Sequence, residues 1–478
     1  MKKNSAGYIT VYLALTLGII VSFMTTMIVG ARMHTIRFET ECVMDMGLNS
    51  IFAEYHREML KQYGLLYIDS SYGGSSPSPD FTRAHLLHYM NANLDKSENL
   101  FATDLTRIHA DNATLNNITY ATDDSGAVLR YQICKYLESI YGLNILLDMG
   151  GDVEGIGASL DEYGGYESMR ESANASVSSI IEGYNSELPP EEEPYSISNP
   201  ADSVETLSGS NALFYATGMK GSISSQTIDG RAYVSGRETK EGAGLREGQE
   251  MPASAISKLM LIKYVFDKCG YYGHEKAGGL LQYQIEYLVN GKEEDIRNLE
   301  EVASDIFKVR YVSNMAFLLS NGAKKSEAEL LATAICAILL SPELIKAVTY
   351  TILFAWGYAE SAKDVRIIFD GHKMPLVKSE ANWNTSLDEM VTFKAHLDSY
   401  RVPAGGLSYE QYLLGFLLMK NVNELTMRLM DVMEMDIRMT PGNSRFRMDG
   451  LIYQLVADVN VTSEYGYGCN IRRFFTYE

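Results

Sequence analysis

The chain has 478 residues, 46% of them hydrophobic, and a formal net charge of -20. That apolar share excludes wholesale disorder and suffices for two or three domains with real cores. The acidity excludes nucleic acid as a partner, because neutralising phosphates takes a basic surface; it reads instead as solubility and low self-association. The five cysteines, Cys42, Cys134, Cys269, Cys336 and Cys469, lie far apart with no CxxC pair, so neither zinc nor a disulfide scaffold is indicated. Cys336, inside LLATAICAILL, reads as a small buried hydrophobe, and a single disulfide among the others is left unassigned.

The run Tyr8 to Val29 (YITVYLALTLGIIVSFMTTMIV) carries no charge and follows Lys2 and Lys3. As a helix it spans about 30 Å of hydrocarbon, and in lipid its backbone is satisfied only as a helix. A cleaved signal is the rival reading, but its apolar part is usually about 7 to 15 residues and ends in a small-residue site, of which Gly30-Ala31-Arg32 is a poor version. An uncleaved anchor is expected, with residues 1–7 as a cytoplasmic tip, 8–29 in the membrane and the rest outside the cell.

Beyond the anchor, Met33, Ile36, Val43, Gly47, Ile51, Tyr55, Met59 and Tyr63 recur at helical spacing, and Gly64 is a plausible stop. Anchor and stalk (30–64) would then form one rod about 84 Å long. A long apolar helix whose outer half packs on a head is the design of pilins, though a plain tethered stalk fits the same periodicity. SSYGGSSPSPD, from Ser70 to Asp80, reads as a surface loop. ATLNNITYATDDSGAVLRYQICKYLESIYG reads as strand, turn and helix within an α+β part, 65–170. Residues 171–219 are rich in acids, lack Lys and Arg and centre on PPEEEPYSISNP, which predicts an acidic linker or insertion loop. From 220 to 440 the pattern is helical, with starts at Ser326 (Glu329), Ser341-Pro342 and Ser408 (Gln411). LIKAVTYTILFAWGYA (Leu344 to Ala359) is short for a span and contains Lys346, so it predicts the central buried helix of the head. In 441–478, Leu451, Tyr453, Leu455, Ala457, Val459 and Val461 alternate after an Asp449-Gly450 turn signal, predicting a strand. Paired with the strand near Leu115 to Tyr120, it would give a mostly helical α+β head with a small antiparallel sheet.

A search for chemistry returns no G-x-S-x-G elbow, Walker loop or HExxH motif. His85 and His88 share a helical face but lack a clear third ligand. Gly150-Gly151 with Gly155 and Gly157 reads as a loop, because no G-x-G-x-x-G follows a buried strand. His396 with Asp398 and His274 with Glu275 are ordinary pairs, and Asp69-Ser70-Ser71-Tyr72-Gly73 fails the D-x-S-x-S adhesion pattern. No catalytic residue, cofactor, metal or small-molecule substrate is expected. In the anchor, Thr10, Ala14, Gly18, Ser22 and Thr25 form a small-residue stripe that would suit close helix packing in lipid, although such a face can equally meet lipid alone.

GYITVYLALTLGIIVSF, GARM and LNSIFAEYHREMLKQYGLLYID are followed in order by YQIEYLVNGKEEDIRNLEEV, FAWGYAESAKDVRIIFDGHKMPLVKS with Trp383 beyond it, and LSYEQYLLGFLLMKNVNELTMRLMDVMEMDIR. Together these blocks resemble a Gram-positive membrane-anchored family of unknown function associated with Flp/Tad (tight adherence) pilus clusters. The resemblance implies a TadE/TadG-like envelope protein, with the cell membrane and other pilus components or pseudopilins as partners, and no activity. Flp-type prepilins carry glutamate five residues after the cleavage glycine, whereas Gly7 is followed there by Tyr12, so an uncut N-terminus is expected. Within the family block, which also holds Pro375 and Trp383, Trp356, Tyr358, Phe369, Leu376 and Val377 are expected to pack. Glu360, Asp364, Arg366 and Lys378 are expected to pair at the rim of the helix or stay solvated; a groove for a partner's terminus is the functional alternative. The leading expectation is a non-enzymatic single-pass pilin-like or accessory component, with a membrane-tethered envelope scaffold next and an anchored hydrolase third.

Overall fold

Helix α1 runs without interruption from Ala6 to Ala53 in a computed structural model that describes residues 6–95, 106–141, 153–199, 212–218, 223–339 and 341–477. The chain divides into two compact units, one of Met1–Tyr136, Arg237–Glu250 and Ile437–Glu478, the other of Leu137–Gly236 and Met251–Asp436.

In the first unit, the apolar half of α1 is bare, with Tyr8, Ile19 and Phe23 all exposed. From Ile36 onward one side is covered: Ile36, Thr40, Val43, Met44, Leu48 and Ile51 are buried, at the three- and four-residue spacing of a helix face. This face meets α3 (Pro79–Leu94) and the sheet. The rod ends earlier than the sequence suggests. At Tyr55 and His56 the chain turns to bridge Ile68, and the His56 amide donates to the Tyr67 carbonyl at 2.9 Å. His56 then caps a separate short helix, α2 (Arg57–Tyr63). Gly64 closes α2 at φ 73°, as expected of that position; a Cβ there would lie 2.2 Å from the Tyr136 ring.

The small sheet is antiparallel. Strand β3 (Leu451–Ser463) pairs with β1 (Ile68–Asp69), β2 (Ile108–Tyr120) and β4 (Gly468–Thr476). Leu455, Ala457, Val459 and Val461 of β3, alternate residues on one face, join the α1 and α3 side chains in one core. After β2 the Asp-Asp-Ser-Gly turn is present, with Asp124, Ser125 and Gly126 all at positive φ. Asp123 holds it by accepting from the amides of Tyr120 and Gly242, and the turn opens α4 (Asp123–Tyr141).

The second unit is helical: α5 (Glu154–Glu187), α6 (Ala212–Thr217), α7 (Ser254–Lys268), α8 (Gln284–Asn290), α9 (Asp295–Ser320), α10 (Gly322–Ile335), α11 (Pro342–Phe369), α12 (Tyr409–Met419) and α13 (Val422–Arg438). Helix α11 is its axis, buried along most of its length and packed by α5, α6, α9 and α10. Gly357 lets α9 approach; a Cβ there would meet Met315 Sδ at 2.5 Å.

Ser341 and Ser408 cap α11 and α12 as the sequence predicts, but Asn321, not Ser326, starts α10. The predicted acidic loop is helical from its start to Glu187 and again in α6, because contacts with α9 and α11 override its polar composition. The hydroxyls of Ser172 and Ser176 also fold back onto carbonyls one turn earlier. Gly155 and Gly157 belong to α5, not to a loop; Gly150 and Gly151 lie outside the described residues.

Candidate functional site

Two places carry residues that the sequence singles out. The first is the bare half of α1. Thr10 and Thr25 donate their hydroxyls to the carbonyls of Gly7 and Val21, while Ala14, Gly18 and Ser22 share the exposed surface, and nothing lies within 4 Å of a Cβ built at Gly18. Among the described residues, α1 is the one helix long and apolar enough to cross a membrane.

The second place lies beside α11. Glu360 and Asp364, one turn apart, face the same ammonium: Lys378 Nζ is 2.6 Å from Glu360 Oε1 and 2.6 Å from Asp364 Oδ1. Arg310, from α9, donates to Asp364 Oδ2 through Nε (3.1 Å) and Nη2 (3.0 Å), and Asn314 adds a third donor at 3.0 Å. These charges balance, two cations against two anions, and all four side chains are fully buried. Burial opposes ionisation of Asp364, but Lys378 and Arg310 outweigh it and hold its carboxyl below the usual range. The expectation that these groups sit at a rim or in solvent is therefore corrected. Val377, expected to pack, is 81% exposed, and its neighbour Lys378 takes the interior place because the two carboxylates there need a counter-charge.

The rest of the block fastens the loop after α11. Arg310 Nη1 donates to the Pro375 carbonyl at 2.7 Å. Trp356 and Trp383, edge to face, both donate to the Thr385 carbonyl. Tyr358 packs on Phe307. Arg366 is buried too, reaching the Ala216 carbonyl, Asp370 and Asp398. Sequence reasoning missed Arg310 and Asn314, although they interrupt an apolar stripe running from Ile306 to Leu318 on one face of α9.

Other buried acids occur in the same unit. Burial raises Glu286 to about 7; its Oε1 accepts from Tyr409 Oη and the Tyr272 amide. Burial likewise raises Asp431 to about 6, with Ser235 and Tyr287 as donors. An open groove of about 560 Å³ between α5 and α11 is lined by Ala173, Ile180, Tyr350 and Phe354, with Glu343 and Lys346 beside them. The cysteines are free thiols, and burial lifts Cys269 to about 12, far from nucleophilic. His85 pairs with Glu54, and no group of three or more potential metal ligands occurs among the described residues.

Fold and site together define a mostly helical α+β protein with one apolar N-terminal helix and a buried ion network. The chain belongs to the family of unknown function DUF5702, whose model matches residues 190–463. The matched span contains the whole Arg310, Glu360, Asp364 and Lys378 set and leaves out α1. No curated protein and no solved structure matches the chain.

Proposed function

We propose that the chain is a single-pass, pilin-like or accessory component of a Flp/Tad pilus or related secretion machinery, anchored with its N-terminus inside and acting at the outer face of the cell membrane without chemistry of its own. The observation that carries this reading is α1: one helix is bare and apolar in its first half and packed on an antiparallel sheet in its second. Such a helix joins lipid to a folded unit without a joint, as a fibre subunit or its assembly partner requires. The ordered blocks from GYITVYLALTLGIIVSF to LSYEQYLLGFLLMK support the same reading through their resemblance to Tad-associated proteins.

Deleting the gene in a strain that expresses its Tad cluster should reduce surface pili and adherence; unchanged piliation overturns the proposal. Protease added to wall-stripped cells should remove everything beyond a short N-terminal fragment, and protection around Glu191 to Glu193 would reverse the orientation. Gly18→Leu should preserve insertion but weaken crosslinking to other anchored components. A second reading, a membrane-tethered envelope scaffold unrelated to pili, draws on the family span, which excludes α1 and centres on the helical unit. Normal piliation with altered envelope morphology in the deletion strain would favour it.

A further inference from the structure

We propose that Lys378 and Glu360 are the precursors of an intramolecular amide bond, formed inside the helical unit with Asp364 carrying the proton. The inference is independent of any pilus role.

Three features place these groups beyond an ordinary ion pair. Lys378 Nζ touches both carboxylates at 2.6 Å with every side chain fully buried, so amine and acyl group are held together without water between them. The two acids are unequal. Asp364 has Arg310 and Asn314 on Oδ2 and Lys378 on Oδ1, a donor set that keeps it ionised. Glu360 has its donors, Lys378 and the Asn384 amide at 2.8 Å, on Oε1, and its buried Oε2 has no partner among the described residues. The unpartnered Oε2 is therefore the one oxygen of the pair with room for a proton. Moving one proton from Lys378 to Glu360 gives a neutral amine beside a neutral carboxylic acid and leaves Arg310 and Asp364 as a self-contained pair.

The reaction then balances without any other reagent. The Nζ lone pair attacks Glu360 Cδ and forms the C–N bond, while the carbonyl electron pair moves onto Oε1, where the Asn384 N–H receives it. Asp364 Oδ1 accepts a proton from Nζ and returns it to Oε2. The C–Oε2 bond breaks with its electron pair, and Oε2 leaves as water. Overall, one ammonium and one carboxylate become one amide and one water, with no change in oxidation state. The interior charge falls from two pairs to one, and the loop from Gly371 to Trp383 becomes stapled to α11.

The test is peptide mapping of the full chain, purified in detergent, denatured and digested with trypsin. The expected product joins the peptide containing Glu360 to the one containing Lys378, at a mass one water below their sum, with no cleavage after Lys378 because an acylated lysine is not a tryptic site. Lys378→Arg should yield only linear peptides there. Linear peptides with full cleavage after Lys378 in the native chain overturn the proposal, as does a branch on Asp364 or a branch that survives Lys378→Arg. The native-chain measurement stands whether or not the variant folds.

Discussion

In the sheet-bearing unit, charged side chains mostly stay at the edge of the core, as Arg473 does beside Glu41 and Asp45; in the helical unit, Arg310, Glu360, Asp364 and Lys378 sit in the middle of it. Asp449 is buried in the sheet-bearing unit, but its partners Arg237 and Arg447 remain partly exposed. The contrast shows two ways of fixing one packing. In the second half of β3, from Ala457 to Ser463, buried and more open residues alternate, and there burial sets register, since a one-residue slip turns the buried face outward. Helices sliding on α11 face no such two-residue rule, and a charge set that must be complete can supply the missing discrimination, because an incomplete one strands a buried ion.

The sharpest way to break the comparison is Arg310→Met, which removes the guanidinium from the buried Asp364. It should cost about 3–5 kcal/mol, read by urea denaturation, with amide exchange accelerating first in α9 and α11. Leu455→Ala, in the apolar core of the sheet, should cost about 3 kcal/mol, with exchange rising in β2 and β4 instead. An ordering of losses that did not follow the two units would end the distinction.

A pH series sharpens it further through Glu286. Its folded value, about 7, lies above its ordinary one, so the folded state prefers the protonated acid. Its favourable contribution is complete below the ordinary carboxylate range and is lost as pH rises towards 7. Glu286→Gln cannot ionise, so relative to the unsubstituted chain it should gain about 1.4 kcal/mol per pH unit between about pH 4.5 and 7 and be flat above. Denaturation midpoints at successive pH values measure this, and a flat difference would refute the shift. The smallest effect should be Arg297→Ala, on the same helix as Arg310 but paired with Glu294 and Glu300 in solvent, at below about 0.5 kcal/mol by the same denaturation assay.

What sequence could reveal follows the range of the interactions. The starts at Ser341 and Ser408, the stop at Gly64, the turn at Asp123–Gly126 and the alternation after Gly450 depend on neighbours a few residues away, and all were legible. The polar α5 was not, because its helix is sustained by contacts with α9 and α11 that no local pattern encodes. The burial of Lys378 and the exposure of Val377 were likewise hidden: hydrophobicity ranks the two the other way, and the order reverses only when Glu360, Asp364 and Arg310 are brought together from separate stretches. Even so, a polar pair, Arg310 and Asn314, standing at helical spacing between the buried Ile306 and Leu318 was a signal that something ionic waits opposite.

On the proposed anchoring, the unbroken course of α1 would tie rotation in the membrane to direction outside it. Because α1 is one helix from Ala6 to Ala53, the stripe of Thr10, Ala14, Gly18, Ser22 and Thr25 and the side gripped by the sheet-bearing unit keep a fixed angle to each other about the rod. Any neighbour that engages the stripe therefore sets a compass bearing for that unit, and a ring or row of such anchors would present the same flank of every copy to the same side.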